Sequence, residues 1–272
     1  MRWWGKIIGG AFGYMVGGPI GLLIGAFVGH QFDKGMVRIG RSGPAGSARS
    51  GRGPGWVPGS RQRVQGTFFS ATFSVMGHIA KADGRVTRDE INAAEELIAS
   101  LHLSPDMRKQ AIDFFRQGKE SGFDLDGALD QLRMLGFGRR ILLQVFVEIQ
   151  LRAALADGKL HPKEREVLLH ICQRLGIPTP DFEAMAGAAQ AESHYGGPGG
   201  SGGMSLEDAY ATLGVPSSAG DDEVKRAYRK LMSRHHPDKL IAKGLPPEMV
   251  RVATEKSQEI GTAYDRIRDS RQ

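Results

Sequence analysis

The chain has 272 residues, room for a sizeable core and two small domains, and 40% of them are hydrophobic. A single cysteine, Cys172, excludes an internal disulfide and cysteine-based zinc spacing, and its apolar helical surroundings mark it as a buried, inert thiol. The net charge of +6 does not mark a nucleic-acid surface: residues 1–65 carry nine basic side chains and one acidic, so the remainder is slightly acidic.

After a short amino-terminal stretch (1–6), residues 7–29 contain no charged side chain. That is long enough for a helix to cross a hydrocarbon layer of about 30 Å. Trp3, Trp4 and Lys6 precede it as interfacial anchors. Gly9, Gly13, Gly17, Gly21, Gly25 and Gly29 recur at every fourth position. They form a groove without side chains along one helical face, where a second copy of the helix can approach closely. The run is too long for the apolar core of a cleaved signal peptide, and no small-residue cleavage site follows. More basic side chains follow the span than precede it, which places the carboxy-terminal bulk in the cytoplasm and the amino terminus outside.

Residues 30–65 are rich in Gly, Ser, Pro and Arg and read as a basic tether. Its arginines suit anionic lipid headgroups. Nucleic acid is not expected there, because Trp56 is the one aromatic residue of the Gly/Ser/Pro/Arg-rich stretch 39–63.

Residues 66–190 are helix-periodic throughout, with apolar faces such as Phe69, Phe73, Met76 and Ala80, then Ile141, Leu142, Val145, Phe146 and Ile149. An all-α bundle is expected. It contains a repeat: Ala82-Asp83-Gly84-Arg85-Val86 aligns with Ala156-Asp157-Gly158-Lys159-Leu160, and Glu90 aligns with Glu164. Each Asp-Gly makes a turn, and a capped helix follows. In the second copy His161 is the cap, Pro162 the first helical residue and Glu164 the reciprocal partner. Asp-Gly-x5-Glu is also half of a calcium loop, which makes Asp83, Glu90, Asp157 and Glu164 candidate metal ligands. Ile79, Lys81, Ala153 and Leu155 stand where the other carboxylates would be needed, so turn and cap are the preferred reading and no cofactor is expected.

A glycine-rich linker, 191–204, leads to residues 205–272. There Val224, Ala227, Tyr228 and Leu231 make one apolar stripe of a helix. Arg226, Arg229, Lys230 and Arg234 occupy the remaining surface, and His235 is expected to be a solvated neighbour. Pro237 cannot continue that helix and restricts His236, so His236, Pro237 and Asp238 form a fixed loop at its end. Tyr210, Leu213, Val224, Tyr228, Leu231, Ala263, Tyr264 and Ile267 are expected to hold the scaffold.

The run Tyr210–Val215, Ala227–Leu231, His236-Pro237-Asp238-Lys239 and Ala263-Tyr264 together resemble the J-domain of the DnaJ family. The paired Ala-Asp-Gly turns resemble TerB, a helical module of tellurite-resistance proteins. Their order behind a glycine-striped span, with the segment Leu240–Met249, is similar to the DjlA-type family of membrane-anchored J-domain co-chaperones. That resemblance implies an all-α protein with one inner-membrane span and a cytoplasmic J-domain. It implies an Hsp70 partner, DnaK, whose ATPase is stimulated by His236, Pro237 and Asp238 once Arg226, Arg229, Lys230 and Arg234 have docked. It also implies a homodimer through the span and a part in envelope-stress or capsule signalling. The zinc-binding cysteine repeats of general DnaJ chaperones are absent from the sequence. An enzyme is not expected, since the chain has no P-loop, H-E-x-x-H or G-x-S-x-G. The alternative is a membrane-bound metal or stress sensor working through the middle domain.

Replacing Gly13, Gly17 and Gly21 together with Leu fills the groove and is expected to weaken self-association in membranes. Crosslinking in native membranes checks this, and an unchanged dimer yield contradicts it.

Overall fold

The computed structural model describes residues 60–82, 84, 92, 94, 95, 98, 99, 101–135, 139–156, 158–196 and 204–271; no strand occurs among them. The expected span 7–29 lies outside this set. Among the described residues no helix is long and apolar enough to cross a membrane. The chain divides into two units, Met1–Thr67 and Phe68–Gln272, and the second takes in both the middle and the carboxy-terminal domain.

The middle domain is built from α1 (Ser60–Ile79), α2 (Pro105–Gly118), α3 (Leu125–Leu135), α4 (Arg140–Ala154), α5 (Pro162–Leu175) and α6 (Thr179–Gly196). Helix α4 is its axis. Leu142, Leu143, Val145, Phe146, Val147, Ile149 and Leu151 are all buried, so this helix is apolar around most of its circumference and is covered on several sides. Phe68 meets Phe146 edge-on at 5.9 Å, and Phe69 meets Phe114 at 6.4 Å. Cys172 is buried as expected, and loss of solvation pushes its thiol up to about 12, which keeps it protonated and unreactive.

Two glycines let α1 and α2 cross without side chains between them. A Cβ on Gly77 would lie 2.0 Å from the Phe115 carbonyl oxygen, and one on Gly118 would lie 1.7 Å from that of Ser74. The contact is reciprocal, backbone against backbone. The repeat is visible too. Gly84 and Gly158 sit at φ +88° and +83°, and their N–H groups donate to Lys81 and Leu155 carbonyls, both at 2.9 Å. At the second copy the His161 N–H donates to Glu164 Oε2 at 3.0 Å, with Pro162 opening α5.

Helix α1 already begins at Ser60, inside the expected tether, and α6 runs through Gly196, inside the expected linker. For α6 the reason is tertiary: Ala189 and Ala191 are buried, and packing outweighs the weak intrinsic preference of a Gly- and Ser-containing tail.

The carboxy-terminal domain comprises α7 (Leu206–Leu213), α8 (Asp221–His235), α9 (Pro237–Lys243), a 3₁₀ turn (Pro247–Met249) and α10 (Val250–Asp269). Tyr210, Leu213, Val224, Ile260, Ala263 and Ile267 form its core, with Tyr228, Leu231 and Tyr264 packed against them. Every residue expected to hold the scaffold is in that cluster. Tyr228 and Tyr264 stack at 4.3 Å and clamp α8 to α10. Arg271, past the end of α10, donates to the Tyr210 hydroxyl and the Ala219 carbonyl, each at 2.7 Å, and pairs with Asp221.

Gly77→Ala and Gly118→Ala are each expected to lower stability by about 2 kcal/mol or more, since the clashing atoms are backbone. Gly187→Ala on α6, where a Cβ meets nothing within 4 Å, is expected to be neutral or stabilising. Thermal melts of the three variants check this; equal shifts would contradict a glycine-dependent crossing.

Candidate functional site at the end of helix α8

Helix α8 is charged in the order its dipole favours, with Asp221, Asp222 and Glu223 in the first turn and Arg234 and His235 in the last. It stops at His236, which takes φ −60°, ψ 121°, as a residue before proline must. The break is a single residue, not an extended loop. Pro237 is already the first residue of α9, where its missing N–H costs no helical bond. His236 caps that helix: its Nδ1 accepts from the Asp238 N–H at 3.2 Å. An accepting Nδ1 places the neutral ring's proton on Nε2.

The break is braced from three sides. The Ser257 hydroxyl on α10 donates to the His235 carbonyl at 2.9 Å. Lys239 Nζ donates to Ser233 Oγ at 2.6 Å, bridging α9 and α8. Leu240 is fully buried, anchoring α9. His236 and Asp238 themselves are exposed, so a fixed scaffold presents an imidazole and a carboxylate to solvent.

Of the expected basic face, Arg226, Arg229 and Lys230 are exposed on α8. Arg234 is not. Its side chain is 19% exposed and its Nη1 lies 3.7 Å from Glu148 Oε1 on α4. His235, expected to be solvated, is 2% exposed, with Nδ1 3.6 Å from Glu148 Oε2. Both are covered because α9 packs on α4 of the middle domain and brings the end of α8 against Glu148.

Around that contact lies a charged junction between the domains. Lys256 on α10 pairs with Glu192 on α6 at 3.3 Å and with Glu259 at 2.7 Å. Arg152 on α4 reaches Glu255 on α10 at 3.3 Å. Burial pushes Glu148 up to about 7, although Lys256 and Arg234 pull it down. Burial likewise pulls His235 down to about 3, helped by Lys256 and Arg234, so the imidazole is neutral. Lys256 is raised because its carboxylate neighbours outweigh desolvation, and it stays charged. Glu148, Ser257 and Lys256 were not singled out in the sequence. Glu148 carries a signal: it is the one acidic residue in the apolar helix Arg140–Ala154.

The glycines from Gly9 to Gly29 lie outside the described residues, as do Asp83, Glu90 and Asp157. Glu164 is buried and its carboxylate accepts at the α5 cap. No group of three or more His, Cys, Asp or Glu close enough to hold a metal occurs among the described residues.

Comparison with known proteins covers the chain end to end. The family model for the co-chaperone DjlA transmembrane domain matches residues 1–47, that of the tellurite resistance protein TerB matches 69–187, and the DnaJ domain matches 208–272. The co-chaperone protein DjlA of Shewanella oneidensis is 45% identical over 271 residues, covering 100% of this chain and 99% of that protein. Its namesake in Vibrio cholerae is 46% identical over 285 residues, covering 98% of each. That of Salmonella typhimurium is 45% identical over 282 residues, covering 100% of this chain and 99% of its own. No solved structure matches.

The titration of Glu148 gives a test. A carboxyl raised in the folded state binds more protons folded than unfolded between about 4.5 and 7, so it adds stability as pH falls through that window. Glu148→Gln lacks this gain. Its stability relative to wild type is expected to be highest above pH 7 and to decline steadily toward pH 5, measured by denaturant titration of both proteins at each pH. A relative stability that rises as pH falls would contradict a buried, raised carboxyl.

Proposed function

The chain belongs to the DjlA family of membrane-anchored J-domain co-chaperones, and from that premise we propose that it recruits and activates the Hsp70 DnaK at the cytoplasmic face of the inner membrane. The exposed Arg226, Arg229 and Lys230 attract an acidic Hsp70 surface, an attraction that salt screens. Arg234 joins them when it is released from Glu148. His236, Pro237 and Asp238 then bind the hydrolysis-competent state of the partner better than its alternative and shift its population. The partner cleaves ATP. This chain supplies no catalytic group and acts as a regulator.

The observation that carries the reading is the one-residue break at His236 within a DnaJ domain: both flanking helices are anchored, and the two polar side chains point outward. The span at 7–29 fixes where this happens, and its glycine stripe suits a homodimer. The basic tether matches a cytoplasmic leaflet with anionic headgroups. A part in envelope-stress or capsule signalling fits a co-chaperone held at the membrane.

His236→Gln and Asp238→Asn are each expected to abolish stimulation of Hsp70 ATPase by the membrane-embedded chain, with helical circular dichroism unchanged. Full stimulation by either variant would refute the assigned role.

A further inference from the structure

The middle domain packs against the very helix that the co-chaperone reading assigns to Hsp70. Glu148 on α4 faces Arg234 and His235, at 3.7 and 3.6 Å. Asp181 and Glu192 on α6 line one side of a cleft of about 390 Å³, while Arg226, Lys230 and Arg234 on α8 line the other. The junction is tied further by Lys256–Glu192 and Arg152–Glu255, both at 3.3 Å. Acid on the middle domain thus meets base on the carboxy-terminal domain across a shared cleft. We propose that the α4–α6 face of the middle domain is an intramolecular docking surface for the basic helix α8, and that it competes with an acidic Hsp70 surface for the same cations. This rests on the Hsp70 reading above and adds its regulation.

Three features make this contact a reversible latch and not a permanent seam. It covers Arg234 and leaves His236 and Asp238 exposed, so the chain is part-occluded and still recognisable to a partner. One of its ion pairs, Arg152–Glu255, is 48% and 32% exposed, where pair energies are modest, and the more buried Lys256–Glu192 pair gives back much of its attraction in lost solvation. The buried carboxyl at its centre is held with its charged form disfavoured, so opening releases a desolvation cost that closing imposes. A ligand that binds only the open form sees its affinity reduced by the open fraction. Any partner of the middle domain that covers Glu148 and Glu192 would then switch Hsp70 recruitment on.

The test uses the full chain in lipid nanodiscs with a purified bacterial Hsp70. Glu148→Arg sets three cations against one another and should open the junction. Glu192→Lys does the same at the rim, where misfolding is a lesser risk. Hydrogen exchange in α4, α6 and the last turn of α8 reads opening, and ATPase stimulation reads function. Both variants are expected to exchange faster there and to reach half-maximal stimulation at about three- to ten-fold lower concentration, as the closed form is depopulated. Glu192→Asp, which keeps the charge, should retain protection and the wild-type concentration, which a merely steric defect at the rim would not do. Faster exchange with unchanged stimulation overturns the regulation and leaves the Hsp70 reading standing. Unchanged exchange shows that these pairs do not hold the junction and overturns the latch. No stimulation by wild type or variants overturns the Hsp70 reading, and the regulation with it.

Discussion

Proline at position 237 is the constraint from which the rest of the site follows. With no N–H and a fixed φ, it forbids α8 from continuing and forces His236 out of helical geometry. The same ring is well placed as the first residue of α9, so the chain stops and restarts within one residue. The change of direction turns His235 into the protein and His236 out of it.

The protein spends its rigidity around that break. Ser257 on α10 and Lys239 and Leu240 on α9 hold it, and the Tyr228–Tyr264 stack fixes α8 on α10 about two turns earlier. Such bracing suits a surface that acts by preferring one state of a partner. A loop that reshaped itself for either state would have no differential affinity to apply. The exposed carboxylate and imidazole therefore matter less as reactive groups than as fixed points in space.

Local rules foretold much of this, and their failures are all tertiary. The 3.6-residue stripe Val224, Ala227, Tyr228 and Leu231 pointed to the packed face of α8, and proline sterics pointed to its end. The repeat and cap around Gly158, His161, Pro162 and Glu164 followed from turn chemistry. Position along one helix could not reveal that Arg234 and His235 meet Glu148, because that contact joins residues far apart in sequence. Nor could composition reveal that α6 outlasts its expected boundary, since buried Ala189 and Ala191 decide it. The crossing at Gly77 and Gly118 hid for the same reason: two isolated glycines in helices look like weak points until their partners are known.

On the function proposed above, a cationic helix with a proline-set tip, moored to a membrane, accelerates another protein's nucleotide turnover. The most direct test is ATP turnover by a purified bacterial Hsp70 with the full chain in lipid nanodiscs, measured across a salt titration. Clear acceleration is expected at low salt, fading as ionic strength rises. Turnover that the chain leaves unchanged at every salt concentration would contradict it.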